Sequence, residues 1–144
     1  MQNKDIRWRQ RFVNFEKAFL KLKEAAEAEQ LNELERNGLV QRFEFTLDLS
    51  WKVMKDFLEE KGFNFKPSPK DTMRLAQQSN FIDYAQQLID GLEIRNELSH
   101  DYNGEKFEKS EKELREEIYP ALEKLYKFFL DQSQSSQMNL FDDK

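Results

Sequence analysis

Residues 39 to 61 constrain the fold more than any other stretch. Val40, Phe43, Leu47, Trp51, Met54 and Leu58 recur at three- and four-residue steps, and so does a second set, Phe45, Leu49, Val53 and Phe57. The two stripes lie about 200° apart around a helix. A helix that is apolar on two sides has to be sandwiched, either between neighbours in a bundle or between its own bundle and another subunit. Four glycines, three prolines and 35% charged residues in 144 positions favour long helices over a sheet with tight turns. Thirteen phenylalanines are enough to fill a helical core and leave rings for a subunit interface.

The remaining periodicities extend that reading. Phe12, Phe15, Phe19, Leu22 and Ala26 predict a first helix over residues 5–28. The segment 27–37 is polar apart from Leu31 and Leu34, and Asn37-Gly38 reads as the end of a short helix or as a bend. Gly62 closes the two-sided helix, and a linker follows with prolines at Pro67 and Pro69. Ser68-Pro69 predicts an N-cap with proline at the first position of a short helix over 69–79. Ile82, Ala85, Leu88, Ile89 and Leu92 predict a helix over 81–98, and Asn103-Gly104 supplies a stop. Leu114, Ile118, Ala121, Leu125 and Phe128 predict a last helix over 107–130, kinked or restarted at Pro120. Residues 131–144 lack periodicity and read as a disordered, solvated tail. The expected fold is an all-α, up-down four-helix bundle with a short extra helix over residues 1–130.

Composition removes several chemistries. The chain has no cysteine, which excludes disulfides, thiol catalysis and cysteine-ligated metals. A single histidine excludes a histidine-rich metal site within one subunit. No run of about 18 apolar residues is present and no apolar signal core follows Met1, so the expectation is a soluble cytoplasmic protein without a membrane segment. A net charge of −5 argues against a surface coated for nonspecific nucleic-acid binding. The charge is unevenly spread: residues 1–23 hold seven cations against Asp5 and Glu16, a local excess of five, which leaves −10 on the rest.

The only histidine, His100, lies between Arg95 and Tyr102. An imidazole, a permanent cation and a phenol within eight positions are the ingredients of an acid/base and phosphate-handling site. On an unbroken helix Arg95 and His100 are about 140° apart, so they converge only if the helix ends at His100 or if a two-fold axis brings one subunit's arginine to the other's histidine. Arg95, Ser99 and Tyr102 fall at a 4 and 7 spacing and line up. The reading that uses these side chains is metal-independent RNA cleavage, with His100 moving a proton, Arg95 holding the phosphate and Asn96 orienting either group. The plain alternative has Ser99 and His100 satisfying backbone groups at a helix end and Arg95 paired with Glu93 or Asp101 on the surface. Trp8 and Trp51 have the chemistry to stack on a base, yet tryptophan on an amphipathic helix belongs more often to a core or subunit interface.

The run Arg95-Asn96-x-x-Ser99-His100-x-Tyr102 resembles the signature of the HEPN superfamily. Its flanks, from Asp5 to Phe15 and from Gly38 through Phe43-Glu44-Phe45-Thr46 to Trp51-Lys52, resemble one branch of it, the nucleotidyltransferase substrate-binding proteins, and the likeness spans about residues 5–130. The resemblance implies a helical homodimer with its motif facing a cleft at the two-fold axis, and a minimal nucleotidyltransferase encoded nearby as its partner. It also implies the toxin half of a toxin-antitoxin pair, a ribonuclease in which Arg95 and His100 are the catalytic pair, Asn96 a helper, Ser99 a support and Tyr102 the acceptor of AMP from the partner. Some relatives are instead non-catalytic substrate-binding subunits of the transferase, which is the alternative expectation. The chain has no glycine-rich phosphate loop and no glycine-serine pair followed by spaced aspartates, so it is not itself the transferase. No cofactor and no metal are expected. In the tail, Gln137, Met138, Leu140 and Phe141 fall in a segment that resembles the short peptide docking on bacterial sliding clamps.

Overall fold

A computed structural model describes the backbone of residues 2–100 and 104–142 and the side chains of residues 6–99 and 104–135. The described residues form helices joined by turns and irregular segments, with no strand among them: α1 (Gln2–Ala26), α2 (Glu33–Glu60), α3 (Pro69–Gln78), α4 (Ala85–His100), α5 (Glu105–Glu113) and α6 (Tyr119–Asp142), with a π-helical turn at Leu114–Ile118 between the last two. Arg42 Nη1 donates to the Lys21 carbonyl near one end of the first hairpin, and Arg11 Nε meets Asp56 at 3.0 Å near the other, so α1 and α2 run antiparallel. Ser99 against Glu44 and Gly91 against Leu47 set α4 antiparallel to α2. Ser110 against Glu97 sets α5 antiparallel to α4, and Phe12 against Tyr126 with Phe19 against Tyr119 sets α6 antiparallel to α1. This is the expected up-down bundle of four long helices with α3 as the short extra one.

Local signals explain where the helices begin and end. Asn32 caps α2, its side chain accepting from the Glu35 N–H at 2.8 Å while Glu35 accepts from the Asn32 N–H at 2.9 Å. That reciprocal cap starts α2 at Glu33, four residues before Asn37-Gly38, which lie inside the helix and neither end nor bend it. Gly62 stops α2 with a φ of 95°, a left-handed conformation that suits glycine. Ser68 caps α3 with Pro69 at its first turn, as its sequence predicts. Residues 81–84 are not helical; Gln77 Oε1 accepts from the Ala85 N–H, and α4 begins there.

The π turn lies just before Pro120. Proline has no N–H to offer Glu116, and its ring crowds the carbonyl four residues back, so the helix widens instead of breaking. Arg115, within that turn, donates to the carbonyls of Ala26 and Ala28 and to Glu111, and thereby satisfies carbonyls left open at the end of α1. With no glycine or proline after Pro120, α6 continues to Asp142 through the segment read as a tail.

Aromatic rings weld the bundle. Phe57 of α2 meets Trp8 of α1 edge-on at 5.4 Å, Phe81 at 5.2 Å, and Phe128 and Phe129 of α6 at 5.6 and 5.4 Å. Such pairs contribute about 0.5–1.5 kcal/mol each beyond area burial. Trp8 is buried in this cluster and Trp51 packs against the core, so Trp8 has no face free for a base. Towards the other end Phe19 stacks on Tyr126 at 4.9 Å and on Tyr119 at 5.8 Å. Both phenols donate to acids of the α1 side, Tyr126 to Glu16 and Tyr119 to Glu27.

α4 is seated by Gly91. A β-carbon there would lie 3.0 Å from Ile118 Cγ2 and 3.6 Å from both Leu47 and Phe43, so α4 approaches the π turn and α2 more closely than a side chain permits. Introducing Gly91→Leu is expected to destabilise the protein by about 1–3 kcal/mol in denaturant titration, through overpacking, with partial recovery on adding Ile118→Ala. A second expectation concerns alkaline pH. Burial first, and its hydrogen bond to Glu16 second, push the Tyr126 phenol from 10.0 up to about 12. Because the folded value is the higher one, this stabilisation is intact below about pH 10 and is lost as pH rises through about 12. Phenolate absorbance of wild type against Tyr126→Phe should therefore lack an ionisation near 12 in the variant, and the variant's unfolding midpoint should fall less between those pH values.

Candidate functional site

The carboxyl end of α4 carries the motif. Ile94 and Leu98 are buried and anchor the helix, which turns Arg95 to a half-buried position and Asn96 and Ser99 to solvent. Arg95 and Ser99 are one turn apart and share a face. Ser99 Oγ lies 2.7 Å from Glu44 Oε1 of α2 and 2.8 Å from the Arg95 carbonyl, and its single proton serves one of them at a time. The contact with Glu44 ties the motif face to α2. On the opposite side of α4, Glu97 accepts from Ser110 of α5 at 2.8 Å, so both flanks of the motif are fastened.

Arg95 forms no ion pair with Glu93 or with any other described residue, and Asp101, the other partner in the plain reading, lies outside the described residues. The back-bond from Ser99 to the carbonyl one turn earlier is the part of that reading present here. The backbone of α4 is helical through His100, where the helix ends. The His100 imidazole, Asp101 and Tyr102 lie outside the described residues. The clamp-like segment with Gln137, Met138, Leu140 and Phe141 lies on helical backbone of α6, its side chains outside the described set.

Electrostatics around the motif are mixed. Glu44 bonds Ser99 on the motif face, while across α4 Lys106 and Lys109 of α5 line a groove with Asp90, Glu93 and Glu97. Among the described residues no group of three or more His, Cys, Asp or Glu side chains is placed to hold a metal ion. Among the described residues no helix is long and apolar enough to cross a membrane.

Two contributors escape a reading of the sequence alone. Glu44 touches a residue 55 positions away, and its only signal is a carboxylate set between Phe43 and Phe45 in an apolar run. Gly91 carries no chemistry and positions the helix that does.

Comparison with known proteins agrees with this architecture. The model of the family described as nucleotidyltransferase substrate binding protein like matches residues 10–131. A crystal structure of a protein from Thermus thermophilus superposes with a TM-score of 0.68 at 29% identity, covering 82% of this chain and 97% of that one. No curated protein matches the chain. The family match runs from within α1 past Phe129 of the aromatic weld. The chain belongs to the nucleotidyltransferase substrate binding protein like family.

Proposed function

We propose that this chain is the HEPN-type partner of a minimal nucleotidyltransferase, and that two copies form a metal-independent ribonuclease with its site at their two-fold axis. The observation that supports this reading is the carboxyl end of α4, where Arg95 is half-buried without an ion-pair partner among the described residues and Asn96 is exposed beside it. On helical geometry the two positions lie about 140° apart, and a two-fold axis is the arrangement we take to bring them together. A second copy related by a two-fold axis presents its His100 to the first copy's Arg95. Arg95, without an ion-pair partner among the described residues, is available for the phosphate.

In this scheme the 2′-oxygen attacks phosphorus as the bond to the 5′-oxygen breaks. His100 takes the proton of the attacking hydroxyl or gives one to the departing oxygen, while Arg95 stabilises charge growing on the phosphoryl oxygens. Asn96, exposed on the same helix, orients the imidazole or the phosphate. Tyr102 is the acceptor for AMP transferred by the partner. A bulky anion there fills the place of the substrate phosphate and repels it, which silences the nuclease as an antitoxin does.

A second reading has its own observation. Glu44 beside Ser99 and, across α4, Glu93 and Glu97 are carboxylates near the motif, and they disfavour an incoming phosphate. They suit a non-catalytic subunit that presents a substrate to the transferase, in keeping with the family's description.

His100→Ala separates the two readings. For the nuclease, cleavage of cellular RNA by the purified protein falls by about a hundredfold or more, as for loss of an acid/base group, and chelators leave wild-type cleavage unchanged. For the presenting subunit, wild type does not cleave and the transferase complex keeps its activity in the variant. Co-expression with the transferase, read by intact mass, is expected to give an AMP adduct on wild type that Tyr102→Phe lacks. An adduct persisting in Tyr102→Phe moves the acceptor elsewhere.

A further inference from the structure

Phe43 and Phe57 of α2 are buried and Trp51 is partly so, whereas Phe45 is 61% exposed. It borders a groove of about 500 Å³ between α1 and α2, where Asn14, Lys17 and Lys21 face Gln41 and Arg42. The lining carries three cations and no carboxylate, whereas the grooves at the α4/α5 junction and beside Arg115 mix both signs. This is the local expression of the positive first helix in a chain of net charge −5. Arg42 is steadied by donating to the Lys21 carbonyl at 2.8 Å, with Glu24 at 3.9 Å, and Lys17 and Lys21 form no ion pair among the described residues. Glu44, the residue before Phe45, is the one that bonds Ser99, so the groove and the motif stand at the same level of the bundle.

From this arrangement we propose that the α1/α2 groove seats a single-stranded segment of RNA next to the cleaved phosphate, with one base stacked on Phe45 and the backbone drawn between Lys17, Lys21 and Arg42. The proposal rests on the ribonuclease reading and names where its substrate lies. An aromatic face stacks on any base, and a cationic channel follows the backbone, so together they select strand form over sequence. The amides of Asn14 and Gln41 are placed to meet base edges or sugar hydroxyls. A uniformly positive lining around an exposed ring matches a polyanion of flat bases, and it does not match a second copy of this groove, which would set like charges against each other.

The test measures binding of a fluorescent oligouridylate by anisotropy, using full-length His100→Ala so that the probe is not cut. Phe45→Ala is expected to weaken binding about tenfold, Phe45→Trp to retain it and Phe45→Leu not to, because stacking needs a π-face. Lys17→Gln with Lys21→Gln is expected to lower the slope of log affinity against log salt by about 1.4, some 0.7 per phosphate contact on a single strand. Duplex RNA of the same length should compete poorly. Unchanged affinity in Phe45→Ala overturns the proposal. So does a change of oligomeric state, or loss of a co-purifying transferase, in Phe45→Ala with RNA affinity intact, since the groove is then a protein interface. Phe45-dependent binding by a wild-type protein that never cleaves RNA keeps the groove and removes the nuclease. Cleavage that depends on His100 but ignores Phe45 does the reverse.

Discussion

The close approach at Gly91 is the constraint on which the motif's position depends. With hydrogen in place of a side chain, α4 sinks against Phe43 and Leu47 of α2 and against Ile118 of the π turn, and Ile94 and Leu98 continue the same buried face. Four residues beyond the contact the chain reaches Arg95, so the depth of Gly91 sets how far the guanidinium stands from α2. The π turn belongs to the same device. Pro120 forces a widened turn, the widening carries Ile118 to Gly91, and Arg115 in that turn holds the end of α1. An exposed polar motif is thereby placed by buried apolar contacts and one missing β-carbon.

The two ends of the bundle do different work. At one end Phe57 joins Trp8, Phe81, Phe128 and Phe129 in edge-to-face contacts that hold three helices and a loop at fixed distances. Towards the other end polar ties join the stack of Phe19 on Tyr126 and Tyr119: Ser99 to Glu44, Ser110 to Glu97, Arg42 to the Lys21 carbonyl. A rigid aromatic end allows the polar end to expose arginine, asparagine and serine without relying on them for stability. The lone exposed ring of α2, Phe45, stands at the polar end, which is where an interaction surface belongs.

Much of the fold was legible in the sequence because it is written in local signals. Three- and four-residue apolar steps located the helices, Ser68-Pro69 started α3, Gly62 ended α2 and Pro120 marked a disturbance in the last helix. Where the reading and the structure part, a competing local or tertiary effect is responsible. The Asn32/Glu35 cap begins α2 early and carries it through Asn37-Gly38; Gln77 satisfies the Ala85 N–H and delays α4; and the polar residues after Leu130 continue α6 for want of a breaker. The second stripe of α2 was legible as a periodicity, but whether Phe45 meets a neighbour depends on helices distant in sequence, and here none covers it. Arg95, Asn96 and Ser99 were legible as residue types; the Glu44 tie is a tertiary fact that no spacing along α4 encodes.

The account's central claim is that Arg95 and His100 act across a two-fold axis, and mixing two inactive variants tests it most directly. Arg95→Ala and His100→Ala proteins are denatured, mixed, refolded and assayed for RNA cleavage beside each variant alone. A shared site predicts recovery to about a quarter of wild-type activity, since half the dimers are mixed and each mixed dimer holds one intact arginine-histidine pair. A mixture as inactive as its components contradicts the shared site.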